Sequence, residues 1–409
     1  MTNGWQEVKL ESVLSALIDY RGKSPPKSAT GTPVISAKVV KDGRISRPIE
    51  QTIDPSFYPQ WMTRGYPRPG DIVMTTEGPL GEVAQLDEET ASFAIAQRVV
   101  VMRGMPNVLD NTFLKYLLIA PAQQRTLASF ATGTTVEGIS QKSLRSVPIP
   151  LPPLAEQRAI AEVLGALDDK IEANRRMNAT LEALARALFK NWFVDFDLST
   201  ERTSADVLRS EGILEIGDGY RAKNDEMGEP GLPFIRAGNL QGDIDTHDAE
   251  VLSAASVSKA GNKLSKSGDV AFTSKGTVGR FSFVTDRTPQ FVYSPQVCFW
   301  RSLDWKSLAP SVLYTWMLTD EFQRQIGAVA TQTDMAPYVS LQDQRRMLVP
   351  RFPEEQQALA LKLDHMLARR SLNLAQSRTL AQLRDLLLPK LLSGALRVRD
   401  AGRMIGDAA

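Results

Sequence analysis

Hydrophobic positions divide this chain into segments of two kinds. Short runs rich in β-branched residues, such as DIVMTT, GDVAFTS, RFSFV and QFVYS, are separated by Gly and Pro and predict strands joined by tight turns. Helical spacing governs LKYLLIAPAQQRTLASF, YTWMLTDEFQRQIGAVA and two much longer stretches, 151–197 and 351–396. We therefore predict an α+β fold in which mixed, β-rich α/β domains alternate with long helices.

The same order of strand-rich and helical segments occurs twice in the sequence, about 200 positions apart. RPGDIVMTTEGPLG at 68–81 matches KSGDVAFTSKGTVG at 266–279, and PLAEQRAIAEVLGALDDKIEAN at 153–174 matches PEEQQALALKLDHMLARRSLN at 353–373. Tyr20-Arg21-Gly22-Lys23 likewise matches Tyr220-Arg221-Ala222-Lys223, and Gln97 aligns with Gln296. We predict a globular domain at 1–150, a long helix at 151–197, a second domain at 198–350 that begins with a linker, a second long helix at 351–396, and a tail at 397–409.

Apolar residues in the two long stretches recur at alternating steps of four and three, the 3.5-residue repeat of a coiled-coil seam. The predicted pairing residues are Ile160, Leu164, Leu167, Ile171, Asn174 and Leu181 in the first helix, and Leu359, Leu363, Met366, Asn373, Leu380 and Leu387 in the second. Asn174 and Asn373 stand at the same step, where a polar residue fixes register at a cost in stability. We predict an antiparallel coiled coil of the two helices; separate amphipathic helices on separate domains are the alternative.

Composition narrows the function. The 409 residues include one cysteine, Cys298, which excludes an intramolecular disulfide framework and a Cys-cluster zinc site. The two histidines leave little for a His-rich metal site, and no metal site is predicted. Cys298 lies in the apolar run VCFW and is predicted to be a buried thiol. A net charge of +1 excludes a uniformly basic protein but permits local basic patches for nucleic acid. Without a signal-like start or a long apolar stretch, the chain is predicted to be cytoplasmic and to have no membrane partner.

One stretch imitates a cofactor site. ILEIGDGY at 213–220 contains Gly217-x-Gly219 after a predicted strand, as nucleotide and S-adenosylmethionine sites do. The third glycine is missing, and the matching copy, ALIDYRGK, has no Gly-x-Gly. Since no nucleophile, P-loop or base-methylation motif occurs either, we predict no catalytic residues. The residues alone indicate two related binding domains on a helical spacer, with a methyltransferase that uses the Gly217–Gly219 turn as the enzymatic alternative.

The long helices resemble a known family. PIPLPPLAEQRAIAEVLGALDDKIEANRRMNATLEALARALFKNWF resembles the central conserved helical region of the specificity subunit of Type I restriction-modification systems, and LLLPKLLSGAL resembles the closing segment of its C-terminal one. GEPGLPFIRAGNL and the strands with Gly-Asp and Thr-x-x-Gly-x-x-Gly resemble its target-recognition domains. The resemblance covers about residues 5 to 397, although the second helix entrance, RFPEEQQ, lacks the doubled Pro.

This resemblance implies a subunit without catalytic residues that binds double-stranded DNA and reads a bipartite target. It also implies two copies of a methyltransferase subunit as partners, with S-adenosylmethionine expected on that partner and no cofactor on this chain. Two motor-nuclease subunits would join for restriction. A protein-binding adaptor that makes no contact with DNA is the alternative from another class.

Arg, Lys and Asn side chains in the repeats are the predicted DNA contacts, because such groups bind phosphates or base edges. They are Arg21, Lys23, Arg64, Arg68, Arg98, Arg221, Lys223, Asn224, Arg236, Asn239, Lys275 and Arg280. Residues that match in both copies, Gln97 and Gln296 among them, are expected to be scaffold or phosphate contacts, and those that differ are expected to read bases; a solvated surface charge is the alternative at each. Partner docking is predicted for the apolar residues Leu188, Phe189, Trp192, Phe193, Leu388 and Leu391, with packing against the chain's own domains as the alternative.

Overall fold

A computed structural model describes residues 5–20, 24–133, 136–195, 201–240, 242–330 and 337–401. The chain divides into two compact units, unit 1 with residues 1–172 and 377–409, and unit 2 with residues 173–376. Each unit thus contains a piece of both long helices, whereas the five segments predicted from the sequence gave each helix a segment of its own. Those segment boundaries stay a prediction.

The elements follow in chain order. Unit 1 contains β1 (Gln6–Lys9), β2 (Leu14–Asp19), β3 (Thr32–Ile35), β4 (Val40–Lys41), β5 (Arg44–Ile45), β6 (Thr52–Ile53), α1 (Tyr58–Trp61), β7 (Ile72–Thr76), β8 (Leu80–Gln85), β9 (Ala94–Ile95), β10 (Val99–Gly104), α2 (Asn111–Ile119), α3 (Pro121–Ser129), α4 (Gln141–Arg145) and β11 (Pro148–Leu151). The first long helix, α5, follows at Leu154–Asp195. Unit 2 contains β12 (Arg202–Ser204), α6 (Ala205–Ser210), β13 (Leu214–Gly217), β14 (Gly231–Ile235), β15 (Glu250–Ser253), α7 (Ala254–Val257), β16 (Val270–Thr273), β17 (Phe281–Phe283), β18 (Val292–Tyr293), β19 (Val297–Ser302), α8 (Pro310–Met317), α9 (Asp320–Ala330), α10 (Leu341–Arg346) and β20 (Leu348–Pro350). The second long helix, α11, is Gln356–Leu392.

The two units share one topology. The central sheet has the order β2-β10-β7-β8 in unit 1 and β13-β19-β16-β17 in unit 2. Each unit also has a smaller sheet with one parallel pair, in the order β6-β3-β9 in unit 1 and β15-β14-β18 in unit 2. A two-stranded sheet pairs β1 with β11 in unit 1 and β12 with β20 in unit 2. The sequence repeat is therefore a structural repeat, and the predicted α+β fold is confirmed. β12 and α6 occupy much of the predicted linker, where Ser204 caps α6 by accepting from the backbone N–H of Val207.

Central strands are buried on both faces, which explains their unbroken apolar sequences. Along β7, Ile72 and Met74 enter one core with α2, while Val73 enters a second core against the smaller sheet. In unit 2 Val270 and Phe272 enter the core beneath α8, and Ala271 enters the opposite one. Successive side chains of a strand point to opposite faces, so a strand covered on both sides shows no alternation of apolar and polar residues.

A buried glutamine attaches the start of each long helix to its globular part. The side-chain Oε1 of Gln157 accepts from the backbone N–H of Asp110 at 2.9 Å, and its Nε2 donates to the carbonyl of Val108 at 2.9 Å. Gln356 repeats this in unit 2, accepting from Ala309 N–H at 3.1 Å and donating to the Ser307 carbonyl at 2.9 Å. Both glutamines are fully buried. The repeated Glu-Gln pair at the two helix entrances therefore has a structural cause.

In unit 1 the helix pieces pair through leucines and a charged cluster. Ile160, Leu164 and Leu167 of α5 lie in one core with Leu380, Leu387, Leu388 and Leu391 of α11. Asp168 accepts from Lys115 Nζ at 2.7 Å, from the Tyr116 hydroxyl at 2.7 Å and from Arg384 Nη1 at 2.8 Å. Burial by itself raises the pKa of Asp168, but the positive charge of Lys115 and these three hydrogen bonds lower it below its usual value. The cluster thus joins α2 to both helices in this unit.

In unit 2 the seam is polar where the sequence places its asparagines. Asn174 and Asn373 are buried, and Asn174 Nδ2 donates to the Asn373 carbonyl at 3.3 Å and to Gln376 Oε1 at 3.0 Å. Asn373 Nδ2 donates to Asn178 Oδ1 at 2.8 Å. As α5 advances from 174 to 178, its contacts on α11 retreat from 376 to 370, so the helix pieces in this unit run antiparallel. A one-step slip would leave these amides unpaired inside the seam.

The glutamine attachment can be tested with two neighbouring residues. Gln356→Met leaves the buried N–H of Ala309 without its acceptor and should lower the free energy of unfolding by about 1–3 kcal/mol. Gln357→Met is the matched control, because Gln357 is exposed and donates only to loop carbonyls at 2.9 and 3.2 Å. Urea unfolding followed by tryptophan fluorescence measures both. Equal midpoints for the two variants would contradict the attachment.

Candidate nucleic-acid interface

Two candidates of unit 1, Arg64 and Arg68, lie on the segment between α1 and β7. Arg64 is exposed, and its Nη1 donates to the Asp19 carbonyl at 2.5 Å while its guanidinium lies 5.9 Å from the ring centre of Tyr20. The Tyr20 hydroxyl in turn accepts from the backbone N–H of Arg64 at 2.8 Å. Arg68 is exposed at the start of the turn into β7. Arg21 and Lys23 lie outside the described residues.

The matching loop of unit 2 is described and stands on a buried carboxylate. Arg221, Lys223 and Asn224 are all exposed on the loop after β13. Beneath them Glu226 accepts from the Tyr220 hydroxyl at 2.9 Å, from the backbone N–H of Lys223 at 3.0 Å and from Lys259 Nζ at 2.8 Å. The hydrogen bond from Lys259, followed by that from the Lys223 N–H, lowers the pKa of Glu226 to about 2. An anionic Glu226 therefore holds this polar loop in one conformation.

Two further candidates of unit 2 lie side by side after β14. Arg236 Nη2 pairs with Glu250 Oε2 at 2.6 Å, and the guanidinium lies over the ring of Phe234. The Asn239 side chain accepts from the backbone N–H of Arg236 at 2.9 Å, so it acts here as a turn residue. Arg280 approaches the same turn, with Nη1 3.4 Å from the Ala237 carbonyl. The structure thus brings Arg236, Asn239 and Arg280 together.

Equivalent hairpins of the two units carry opposite charges. TTEGPLGE at 75–82 and TSKGTVGR at 273–280 connect β7 to β8 and β16 to β17, so that Glu77 corresponds to Lys275 and Glu82 to Arg280. Glu77 Oε1 lies 3.1 Å from Arg98 Nε, and both side chains are about half exposed. Lys275 is exposed on the turn of unit 2.

Strand register corrects one alignment made from the sequence. β10 pairs Val99 with Thr75, and β19 pairs Val297 with Thr273. Since the two threonines occupy the same position of the repeat, Arg98 corresponds to Gln296, and the alignment of Gln97 with Gln296 is wrong by one residue. The two exposed residues that precede the equivalent strands therefore differ chemically.

Two of the tryptophans and the single cysteine are buried in the cores of their units. Trp61 and Trp300 are buried, and their indole N–H groups donate to the Ile95 carbonyl and to Gln344 Oε1, each at 3.0 Å. Tyr66, in contrast, is 53% exposed. Cys298 is buried in the sheet, and this burial raises the pKa of its thiol.

Close packing explains the glycines of the Gly217–Gly219 turn. A Cβ at Gly217 would lie 2.3 Å from the Phe299 ring, and one at Gly219 would lie 2.0 Å from the Ser294 carbonyl oxygen. Neither distance is compatible with a larger residue. The two glycines thus have a packing reason, because they allow Phe299 and Ser294 of this chain to approach closely.

The residues predicted to dock a partner are largely taken up by the chain itself. Phe189 is 2% exposed and stacks on Phe193 at 5.3 Å, and Leu388 and Leu391 belong to the unit 1 core. Leu188, Trp192 and Phe193 are partly buried against the unit 2 core, with Trp192 stacked on Phe352. For the buried Phe189, Leu388 and Leu391 the docking prediction is wrong, because an apolar side chain inside its own core presents no surface to another protein.

Sequence reasoning missed two arginines, Arg186 and Arg370, that lie beside the predicted Arg280 in unit 2. Arg186, Arg280 and Arg370 line one groove, together with Glu182 and Asp320. Arg186 lies in α5, Arg370 in α11 and Arg280 in the hairpin between β16 and β17. Because these elements are distant in sequence, no local motif predicts that the three arginines lie together. In the ranges that the structure describes, no cluster of His, Cys, Asp or Glu is arranged to hold a metal ion. No helix in those ranges is long and apolar enough to cross a membrane.

Comparisons with known proteins confirm the resemblance. Residues 2–183 match the family model of the Type I restriction modification DNA specificity domain. The chain is 24% identical over 368 residues to the Type I restriction enzyme MjaIX specificity subunit of Methanocaldococcus jannaschii, an alignment covering 86% of this chain and 83% of the relative. A 132-residue stretch, 31% of this chain and 28% of the relative, is 33% identical to the HindI specificity subunit of Haemophilus influenzae. The crystal structure of a Type-I restriction-modification S subunit from M. genitalium shares the fold, with a TM-score of 0.54 and 17% identity over 96% of this chain and 97% of that chain.

The hydrogen bonds that Glu226 accepts predict that the stability of the loop 221–226 depends on pH. Glu226→Gln removes the charge that holds Lys259 and the Lys223 N–H, so hydrogen exchange of residues 221–226 should become faster at neutral pH. Because the pKa of Glu226 is lowered in the folded state, its stabilisation is complete above the usual glutamate pKa of about 4.3 and is lost as the pH falls towards about 2. Asp225→Asn, an exposed neighbour, is the control and should change neither rate nor pH profile.

Proposed function

We propose that this chain, a member of the family of Type I restriction-modification specificity subunits, binds duplex DNA and reads a bipartite target, one half-site with each unit. We assign it no catalytic step of its own. Because it would act on cellular DNA, we also propose that it works in the cytoplasm.

One observation supports this proposal above the others. The same three sheets occur twice in the same order, while side chains at equivalent positions that are exposed or partly exposed differ: Glu77 and Lys275, Glu82 and Arg280, Arg98 and Gln296. If these particular turns bound the same ligand in both units, they would have no need of opposite charges. Two different half-sites require a common framework with different readers, because specificity comes from the side chains that reach base edges.

The partners that we propose follow from the same repeat. Two similar surfaces on one chain allow two identical methyltransferase subunits to dock equivalently, as in other pseudo-symmetric assemblies. S-adenosylmethionine would then bind to those subunits, and motor-nuclease subunits would join for restriction. Since Phe189, Leu388 and Leu391 are buried, we expect the methyltransferase subunits to bind through residues that are exposed.

Salt dependence separates this function from a protein-binding adaptor. If the chain neutralises DNA phosphates, the logarithm of its affinity for a duplex should fall linearly with the logarithm of salt concentration, and six or more contacts would reduce affinity about 1000-fold between 50 and 200 mM salt. Fluorescence anisotropy with a labelled duplex measures this for the chain in complex with its host's methyltransferase. Salt-independent binding, or none at low salt, would favour the adaptor.

The helices offer a test of the gap between half-sites. Four alanines inserted after Glu172 in α5 and four after Gln376 in α11 leave the contacts within each unit intact, because the unit boundaries fall there. They lengthen each helix by about 6 Å, which corresponds to roughly two base pairs at 3.4 Å. Mapping of methylated sites in cells should then find the same half-sites with one or two more unread base pairs between them. Insertion into α5 alone is the control and should abolish methylation; an unchanged gap with both insertions would show that the helices do not set it.

A further inference from the structure

Three backbone segments meet beside the turn after β7 in unit 1. The backbone N–H of Thr76 donates to the Arg98 carbonyl at 2.9 Å. The next residue, Glu77, forms an antiparallel bridge with Gly138 of the third segment. Arg98 and Glu77 are about half exposed, and 3.1 Å separates Arg98 Nε from Glu77 Oε1. We name this group, Glu77, Arg98 and Gly138, patch 1.

The same three segments meet in unit 2 with other side chains. Ser274 N–H donates to the Gln296 carbonyl at 3.0 Å, and Lys275 bridges Tyr338 as Glu77 bridges Gly138. Lys275 and Gln296 are exposed, and Tyr338 is 48% exposed. We name Lys275, Gln296 and Tyr338 patch 2.

A common framework holds both patches. The N-cap serines Ser140 and Ser340 follow the third segment in each unit, each accepting from a backbone N–H three residues on, at 3.0 and 3.1 Å. Ile139 and Val339 are buried at matching positions, and their N–H groups donate to the carbonyls of Thr76 and Ser274. Backbone geometry is thus repeated, and the chemical difference between the patches lies in the exposed side chains.

On the basis of the proposed DNA-reading function, we propose that these patches determine base specificity, with Arg98 reading a guanine in one half-site and Gln296 reading an adenine in the other. An arginine fork matches the O6 and N7 acceptors of guanine in the major groove, and a glutamine amide matches N6 and N7 of adenine. Equivalent positions would then give each half-site a different base.

Glu77 fits the role of a positioning residue. Its Oε1 lies 3.1 Å from Nε of Arg98, and in our assignment the terminal nitrogen atoms of the guanidinium meet the base edge. A half-exposed ion pair contributes little to stability, so folding alone gives weak reason for the pair. Holding the fork in one orientation lowers the entropy lost when it meets a guanine.

In patch 2 no carboxylate occupies the position of Glu77. Lys275 stands there instead and suits a phosphate next to the adenine, since an ammonium binds as a point charge without a fixed direction. Tyr338 adds a half-exposed aromatic ring at the position of Gly138. Patch 2 therefore combines one base reader with a phosphate contact and an apolar surface.

Selection from a randomised duplex library tests this assignment. The full chain in complex with its host's methyltransferase is incubated with the library, and bound DNA is sequenced. Arg98→Gln should change guanine to adenine at one position of one half-site, and Gln296→Arg should change adenine to guanine at one position of the other, each by at least about 10-fold in preference. The exposed residues Arg125 and Gln342 provide matched controls: Arg125→Gln and Gln342→Arg should alter neither half-site.

Two more variants separate reading from phosphate contact. Arg98→Lys keeps the charge but not the fork, so affinity should hold within a few-fold while the preference for guanine falls; full retention of that preference would overturn the assignment. Glu77→Gln should weaken the preference for guanine without creating a new one. If the unmutated complex selects a bipartite target but Arg98→Gln and Gln296→Arg leave it unchanged, this inference is wrong and the proposed function stands. If the unmutated complex selects no sequence, the proposed function itself fails.

Discussion

The amide of one buried glutamine at the start of each long helix is the contact on which the rest of each unit depends. Gln157 satisfies both a donor and an acceptor of the loop before α2, and Gln356 does the same for the loop before α8. A buried amide without partners costs several kcal/mol, so the helix start and the loop are stable only together. Because α2 and α8 cover the central sheets, this contact fixes how a helix meets the sheet whose strand ends form the patches.

Polar groups also decide the pairing within each unit. In unit 1 Asp168 joins Lys115 and Arg384, so that both charges on α2 and α11 find their partner on α5. In unit 2 the amides of Asn174 and Asn373 are buried, and each binds a group of the other's helix. Leucines alone would tolerate a shift by one heptad, whereas these groups are satisfied in a single register.

The sequence predicts the repeat, the strands and the long helices because all three depend on local periodicity and on turn glycines. It could not predict the role of Gln157, since a glutamine in the first turn of a helix is ordinarily exposed. The identity of Gln97 and Gln296 misled the alignment, and strand register was needed to match Arg98 with Gln296. Phe189 looked like a docking residue because helical spacing does not reveal which apolar side chains the chain's own core already covers.

Some of the candidate site residues can be predicted from the local sequence, and others depend on contacts between residues distant in sequence. Exposed cations on loops, such as Arg221 and Lys223, are visible in the sequence, and their exposure follows from the turn residues around them. Pairs across a sheet, such as Glu77 with Arg98, depend on which strands are neighbours, and that order is set by the whole fold. A duplicated framework makes such pairs comparable. In the two patches the shared features are backbone hydrogen bonds and buried side chains, and the side chains that differ are exposed or half exposed, so a change of specificity in one unit need not disturb the core of either.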